Sequence, residues 1–307
     1  MRALNEYGLR EWAAGAPLVH GFKRGRNALI ERAFRGLGAR ASDKFLAERT
    51  ELAGKTVISV IAYNVPWTIE LMLRSAPRLA GSAFVIFDNS RNPDARREIE
   101  RICRDRDAAY LALPPNPERH PCRSHGLAMN WAFYHVIRPL KPRVFAYFDH
   151  DLLPTAPYDP AAMVVSQPVY GVRNESRWGW NLWAGFSIFD YAAVEGRMPD
   201  FNHDVPRNLD TGGRNWLRVY RHLDRSRIGF ASFDQVWLQD PVAKLPTKAQ
   251  LIDGSLLHVS GAGHGSKRIP PIRPAFFAGI MDATERGASI EEFMAPEPGA
   301  SAAGKAA

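Results

Sequence analysis

Cysteine is scarce in this chain of 307 residues, since only Cys103 and Cys122 occur and no Cys-x-x-Cys pair is present. This scarcity argues against a disulfide framework and a structural zinc site, and it fits a reducing compartment. Long apolar runs are also missing, because no stretch reaches the length of a membrane-spanning helix. The N-terminal segment MRALNEYGLREW lacks the apolar core of a signal peptide. We therefore expect a cytoplasmic protein.

Signatures of nucleic-acid-binding modules are absent as well: there is no zinc finger, no aromatic RNA-binding strand signature and no lysine-rich arm. We therefore expect no nucleic-acid partner, although the net charge is +8. Residues 1–54 hold ten Lys+Arg against six Asp+Glu, which is half of that surplus. A positive net charge favours other anionic partners, such as nucleotide diphosphates or acidic lipid headgroups.

The length of 307 residues suits one large domain or one domain with extensions, and the composition, with 46% hydrophobic and 23% charged residues, is that of an ordinary globular protein. We predict a helical N-terminal extension over residues 1–54 and the main domain over residues 55–290. The segment 291–307 ends in GASAAGKAA and has the composition of a disordered tail.

One amphipathic pattern lies in the N-terminal extension, over Asn27–Ala41, with apolar residues on one face and arginines on the other. The apolar residues are Leu29, Ile30, Ala33, Phe34 and Leu37. Such a helix either packs on the main domain or rests on an acidic membrane surface. Packing is favoured, because Gly36 and Gly38 weaken the helix.

Buried strands and helices alternate along the first half of the main domain. The predicted strands are Thr56–Ala62, Ala83–Phe87, Ala109–Leu113 and Val144–Phe148. The predicted helices between them are Trp67–Ser75, Pro93–Asp105 and His125–Ile137. This alternation predicts an α/β fold with a mainly parallel central sheet flanked by helices.

Three of the predicted strands end in polar residues: Tyr63-Asn64, Asp88-Asn89-Ser90 and Asp149-His150-Asp151. In a parallel sheet these ends meet at one edge, which is where ligands bind. The side chains of Asp149 and Asp151 point to the same side of an extended chain, and their like charges repel. A divalent cation such as Mg²⁺ or Mn²⁺ relieves the repulsion. The alternative is an ordinary acidic turn.

In the order and the amino-acid sequences of these motifs, the chain resembles a glycosyltransferase of the A-type fold, in the large bacterial group related to family two. The resemblance covers roughly residues 55 to 265 and includes TVISVIAYN, VIFDNSR, SHGLAMNWA, FAYFDHD and WNLWAGFSIF. It implies a Rossmann-like nucleotide-diphospho-sugar transferase fold. FAYFDHD stands where that family has its Asp-x-Asp motif, which holds a metal ion against the donor diphosphate.

The resemblance also implies roles for individual residues. Asp149, Asp151 and His258 are the expected ligands of Mn²⁺ or Mg²⁺. The expected contacts to the nucleotide sugar are Tyr63, Asn64, Asp88, Ser124, Asn130, Asp149 and His150. The expected acceptor contacts are Trp180, Trp183 and Gly185. His264, Lys267 and Arg268, which follow His258 in a glycine-rich loop, are candidate phosphate contacts.

The Glu-Asp pair that often supplies the catalytic base of inverting members is missing, which leaves the base open. Asp234 in ASFDQVWL is a partial match and the first candidate. Asp210, before Thr-Gly-Gly, is the second, and it also fits a helix-capping role.

The expected function is metal-dependent transfer of a sugar from a UDP- or GDP-linked donor to a hydroxyl of a glycan or glycolipid acceptor. The family suggests surface glycan or lipopolysaccharide synthesis in the cytoplasm, at the inner face of the membrane, with peripheral contact through the basic N-terminal segment. One alternative is a non-catalytic nucleotide- or carbohydrate-binding protein. Another is a nucleotidyltransferase, although AYNVPW after the first strand lacks the glycine-rich loop of that class.

Overall fold

The computed structural model describes residues 2–240, 242, 246–263 and 272–297. Within these ranges the strands are β1 Thr56–Ala62, β2 Ser82–Asp88, β3 Ala109–Ala112, β4 Val144–Phe148, β5 Leu152–Pro154, β6 Val169–Ser176, β7 Gly179–Asp190, β8 Phe233–Gln239, β9 Pro246–Ile252, β10 Leu256–His258 and β11 Met294–Ala295. The helices are α1 Leu9–Ala13, α2 Ala16–Arg35, α3 Ala39–Glu48, α4 Pro66–Ser75, α5 Pro93–Asp105, α6 Pro121–Ala132, α7 Arg138–Leu140, α8 Tyr191–Val194, α9 Asn215–Arg218 and α10 Pro274–Glu285.

The central sheet has the strand order β3-β2-β1-β4-β7-β6. The first four strands pair in parallel, and β7 pairs antiparallel with both β4 and β6. This confirms the fold class predicted from the sequence, a mainly parallel sheet flanked by helices. A smaller antiparallel sheet, in the order β11-β8-β9-β10-β5, begins where the chain leaves β4.

Strand β1 is buried on both faces, as its run of β-branched residues predicts. Its alternate side chains enter two different hydrophobic cores. Ile58 and Val60 join the core formed with α4, α5 and the smaller sheet, whereas Val57 and Ile61 join the core formed with α2, α3 and α6. The central sheet therefore has a helical layer on each face, and its strand ends are left for a ligand.

The helix predicted over Asn27–Ala41 is divided in the structure. Helix α2 ends at Arg35, and Gly38 adopts φ 77° before α3 begins. A Cβ at Gly38 would lie 3.1 Å from the Trp131 ring, so this position needs glycine for both space and conformation. Phe34 is buried, but Leu29 and Leu37 are exposed, so the single apolar face predicted for this segment is wrong for those two residues.

The boundary predicted at residue 291 for a disordered tail is too early. Ile290–Phe293 form a turn of 3-10 helix, and β11 pairs with β8 through Met294 and Leu238. Residues 298–307 lie outside the described part of the chain. No described helix combines the length and hydrophobicity needed to cross a bilayer.

A buried network of amides and carboxylates attaches α2 to the main domain. Asn130 Nδ2 donates to Glu31 Oε1 at 3.0 Å and to Asp200 Oδ1 at 3.2 Å. Asn202 Nδ2 donates to Glu31 Oε2 and to Asp200 Oδ1, both at 2.8 Å. Burial, together with the charge of Asp200, raises the pKa of Glu31. Burial alone would also raise the pKa of Asp200, but the charge of Arg214 and hydrogen bonds to the carboxylate lower it overall.

We expect Glu31→Gln to remove part of the pH dependence of stability. Since the pKa of Glu31 is raised in the folded state, its protonation stabilises the fold below its unfolded pKa, and this stabilisation is lost as pH rises through the folded pKa. The stability of the variant relative to the natural protein should therefore increase from about pH 4.5 to pH 8, as measured by urea unfolding. Glu48→Gln, at an exposed position of α3, is the control. Parallel pH profiles for the natural protein and Glu31→Gln would contradict this assignment.

Candidate functional site

The two carboxylates after β4 are held by the strands on either side. Asp149 N donates to the carbonyl of Gly185 in β7 at 2.8 Å, and Val259 N donates to the carbonyl of Asp151 at 3.0 Å. The chain then continues into β5, which pairs antiparallel with β10 so that Leu152 lies opposite His258. This pairing brings a histidine from late in the sequence next to the acidic turn.

Asp149, Asp151 and His258 form a compact cluster, in which one potential ligand atom from each lies within 4.8 Å of the others. His258 Nε2 is 3.1 Å from Asp151 Oδ1 and 3.8 Å from Asp149 Oδ2. Asp151 and His258 are buried, whereas the Asp149 side chain is 22% exposed. The structure thus brings together the three residues that the sequence analysis expects to bind a metal ion.

The hydrogen bonds around His258 suit a metal ligand. Its Nδ1 lies 2.5 Å from Gln250 Oε1, which can only accept, so Nδ1 carries the proton. In a neutral imidazole, Nε2 would then direct a lone pair at Asp151, and this contact is favourable only when a proton or a metal cation lies between the two groups. Metal-binding histidines commonly donate their second ring N–H in this way.

Asp151 is held in its charged form. Burial alone would raise its pKa, but the charge of His258 and the hydrogen bond from its ring hold the pKa well below the usual range. The other carboxylate oxygen accepts a hydrogen bond from Ala262 N at 3.2 Å. A buried anion with these partners suits a hard divalent cation.

A cavity of about 310 Å³ opens beside the cluster, at the carboxyl ends of β1 and β4 and the first turn of α6. Of the residues predicted to bind a nucleotide sugar, Tyr63, Ser124, Asp149 and His150 line it. His150 Nε2 is buried and has no hydrogen-bond partner among the described residues, so a polar ligand in the cavity could satisfy it.

The cavity is also lined by Asn89, Arg119 and His125, which were not among the residues predicted from the sequence. Asn89 Nδ2 donates to Ser124 Oγ at 3.0 Å, which connects the end of β2 to α6. Burial lowers the pKa of His125, which favours the neutral imidazole. Arg119 lies two residues before α6, and this position, just ahead of a helix N-terminus, could have identified it from the sequence.

Two predicted nucleotide contacts have structural roles instead. Asp88 is fully buried, and its carboxylate accepts from Ser90 N at 2.8 Å and from the Tyr110 hydroxyl at 3.0 Å. Asn64 adopts φ 57°, and its Oδ1 accepts from the backbone N–H groups of Arg91 and Asn92, each at 3.0 Å. The structure therefore places neither side chain on the cavity, because both hold the turn after β2.

Asn130 and Trp180 also lie away from the cavity. Asn130 is fully buried in the network with Glu31 and Asp200. The Trp180 ring packs in the core against Tyr220, with centroids 4.7 Å apart, so it does not form part of an acceptor surface.

Trp183 does reach the site, where its ring centroid is 4.8 Å from that of His258. Gly185 makes this possible, because a Cβ at that position would collide with the Trp183 ring. Trp183 also lines a second cavity of about 510 Å³, together with Arg173, Asn174, Asp210 and Phe233. Trp183 thus contacts His258 of the candidate metal site and borders the second cavity.

The structure separates the two candidate bases. In the smaller sheet, Gln250 pairs with both His258 and Gln235, so these three side chains share one face. Asp234 is adjacent to Gln235, so it projects from the other face, and it is exposed to solvent. Asp210 lines the second cavity beside Trp183. Of the two, only Asp210 is brought next to the site, and its Oδ1 accepts from Thr211 N at 2.7 Å.

The candidate phosphate contacts His264, Lys267 and Arg268 lie outside the described residues. Gly261 and Gly263, from the same loop, line the cavity of about 310 Å³.

No protein-family model and no curated protein matches the sequence. Among solved structures, a mannosyltransferase from Pyrobaculum calidifontis in complex with GDP-Man and Mn²⁺ has a TM-score of 0.37 and 13% identity, over 57% of each chain. A fragment of S. aureus TarS has a TM-score of 0.38 and 14% identity, over 57% of each chain. The galactosyltransferase LgtC has a TM-score of 0.37 and 11% identity, over 57% of this chain and 73% of that one.

The chain spans little more than half the length of the mannosyltransferase and the TarS fragment. All three TM-scores and identities are low, so conclusions about function depend on the geometry of the site itself.

Proposed function

We propose that this protein is a metal-dependent glycosyltransferase of the A-type fold, which moves a sugar from a UDP- or GDP-linked donor to a hydroxyl of a glycan or glycolipid. The observation that carries this proposal is the cluster of Asp149, Asp151 and His258, with ligand atoms within 4.8 Å, beside a cavity at the carboxyl ends of parallel strands. That edge is where sheets of this kind bind nucleotides.

The residues of the cavity suit a donor diphosphate. Asp149, Asp151 and His258 would hold Mn²⁺ or Mg²⁺, and the imidazole favours Mn²⁺ of the two. The bound ion would act as a Lewis acid that neutralises the leaving diphosphate. Arg119 and the N-terminal turn of α6 add positive potential in the same cavity.

The second cavity suits the acceptor. Trp183 presents an aromatic ring on which a sugar can stack, and Asn174 offers hydrogen-bonding groups. Asp210 is the proposed base, which would take the proton from the acceptor hydroxyl as the new glycosidic bond forms.

The thermal midpoint of unfolding, measured with Mn²⁺, UDP and GDP added singly and together, tests this proposal. A ligand raises the midpoint only if it binds the folded state preferentially. At a ligand concentration of about a hundred times Kd, the free energy of unfolding increases by about 2.7 kcal/mol. We expect Mn²⁺ and one nucleoside diphosphate together to raise it by about 5 °C or more. The absence of a shift with either nucleotide would refute the transferase assignment. A shift without sugar transfer to any tested glycan or glycolipid would favour a non-catalytic binding protein.

The proposal includes peripheral contact of α2 with the inner face of a membrane. Such contact would suit a glycolipid acceptor and the synthesis of a surface glycan. It is supported by α2, on which Leu18, Phe22 and Leu29 are 77%, 75% and 71% exposed. Their spacing places them on one side of the helix, and Arg26 and Arg32 flank that side.

We expect Phe22→Ser to weaken binding to vesicles that contain phosphatidylglycerol several-fold, because it removes apolar area that would enter the lipid interface. Flotation of protein with vesicles measures this binding. Val165→Ser is the matched control, since Val165 is 80% exposed outside the N-terminal helices. If the natural protein does not float with these vesicles, the membrane contact is wrong and the transferase proposal is unaffected.

A further inference from the structure

A basic groove of about 750 Å³ lies between α2 and the segment 198–218, apart from the candidate metal site. Six arginines line it, around the carboxylates of Glu31 and Asp200. They are Arg24, Arg32, Arg35, Arg138, Arg214 and Arg218.

Positive charge in this groove exceeds what its acidic residues can neutralise. Arg35 lies 3.9 Å from Glu31, and Arg214 lies 3.4 Å from Asp200. The other four arginines have no carboxylate within 4.0 Å among the described residues. Since its walls concentrate this charge, the groove favours an anionic ligand.

The basic surface continues towards the candidate active site. An adjoining pocket of about 180 Å³ shares Arg24, Arg214 and Arg218 with the groove and adds Lys23, Arg26 and Arg123, of which Arg123 pairs with Glu118 at 2.7 Å. Arg123 and Ser124 are neighbours in the first turn of α6, and Ser124 lines the cavity beside the metal-ligand cluster. A ligand that lies along the groove would therefore end close to the site of transfer.

The surroundings exclude two kinds of polyanion. Proteins that bind single-stranded nucleic acid use aromatic rings for base stacking. The groove contains Tyr134 and His135, but the guanidinium of Arg35 lies over the Tyr134 ring at 3.7 Å, so a base could not stack on that face. A bilayer seated on Leu18 and Phe22 would meet the opposite side of α2 from Arg24, because the helical turn places these side chains far apart around the axis.

We propose that the groove binds the acidic part of an extended glycan acceptor, which carries phosphate, sulfate or carboxylate groups. Guanidinium groups recognise these anions through paired charge-assisted hydrogen bonds. The length of the groove and its several arginines suit a chain with repeated charges. That the bound glycan is the acceptor rests on the proposed transferase function. Binding of the glycan to the groove can be measured without a donor and without turnover.

Binding of a fluorescent heparin oligosaccharide, measured by anisotropy between 50 and 300 mM NaCl, tests the groove. Arg24→Gln/Arg218→Gln should raise Kd about tenfold and reduce the slope of log Kd against log salt by about two, because two charge contacts are lost. Arg97→Gln/Arg104→Gln, which removes the same charge from exposed positions on α5, should leave both values unchanged. Stabilisation by Mn²⁺ and nucleoside diphosphate should be unchanged in both variants.

Three outcomes would overturn the proposal. The first is equal heparin affinity in the groove and control variants. The second is loss of binding to phosphatidylglycerol vesicles, but not to heparin, in the groove variant, which would identify a lipid headgroup as the ligand. The third is tighter groove-dependent binding of a DNA oligonucleotide of equal charge, which would identify a nucleic acid. Normal heparin binding without stabilisation by Mn²⁺ and nucleotide would refute only the transferase function.

Discussion

Asp151→Asn is expected to abolish the stabilisation by Mn²⁺ and nucleoside diphosphate and to lower sugar transfer on the order of a thousandfold. Asp151 is buried and lies 3.1 Å from His258 Nε2, and it supplies one of the two carboxylate charges of the cluster. A metal ion that stabilises the leaving diphosphate lowers the activation free energy by several kcal/mol, and about 1.4 kcal/mol corresponds to a tenfold change in rate. Thermal shift and a transfer assay measure the two effects.

The asparagine variant should remain folded, because its amide oxygen can still accept from Ala262 N. Far-UV circular dichroism of the variant without ligands checks this. A variant that keeps the full metal-dependent shift would show that the cation binds elsewhere.

Asp210→Asn is expected to lower kcat about 10²- to 10⁴-fold, while the stabilisation by Mn²⁺ and nucleotide is preserved. The reason is that Asp210 borders the second cavity, which we propose for the acceptor, whereas Asp149 and Asp151 border the cavity that we propose for the donor. The variant should keep the local turn, since the amide oxygen can accept from Thr211 N.

Asp234→Asn is the control for this experiment. The exposed carboxylate of Asp234 projects from the face of the smaller sheet opposite to His258, so its neutralisation should change kcat less than twofold. A large loss in Asp234→Asn, with normal turnover in Asp210→Asn, would reverse the assignment of the base.

Local pattern was sufficient for the four parallel strands of the central sheet and for the two carboxylates after β4. The apolar runs of β1 and β4 agree with the predicted bounds, because strands buried on both faces need continuous apolar residues. Asp149 and Asp151 were identifiable because two carboxylates stand one residue apart where a buried strand ends. The chain turns there instead of staying extended, since Leu152 N donates to the carbonyl of Asp149 at 3.1 Å. His258 needed the resemblance as well, since nothing in its neighbourhood shows which strand it will face.

Side-chain direction at the other strand ends could not be read from local pattern. Asp88 and Asn89 are adjacent, and Tyr110 from β3 turns Asp88 inward while Asn89 reaches the cavity. In α6, Ser124 and Asn130 are six residues apart and point in different directions around the helix, so the predicted role of both at one site was geometrically inconsistent.

By itself, the sequence determined the α/β class, the alternation of the four parallel strands with helices along the chain, and the acidic turn at the end of β4. These features depend on the burial pattern of a few neighbouring residues. Only the tertiary structure decided that His258 completes the cluster, that Asp210 rather than Asp234 lines the cavity beside Trp183, and that the pocket adjoining the basic groove reaches Arg123 in α6. These depend on strand register and helix packing between segments distant in sequence, where a shift of one residue turns a side chain to the opposite face.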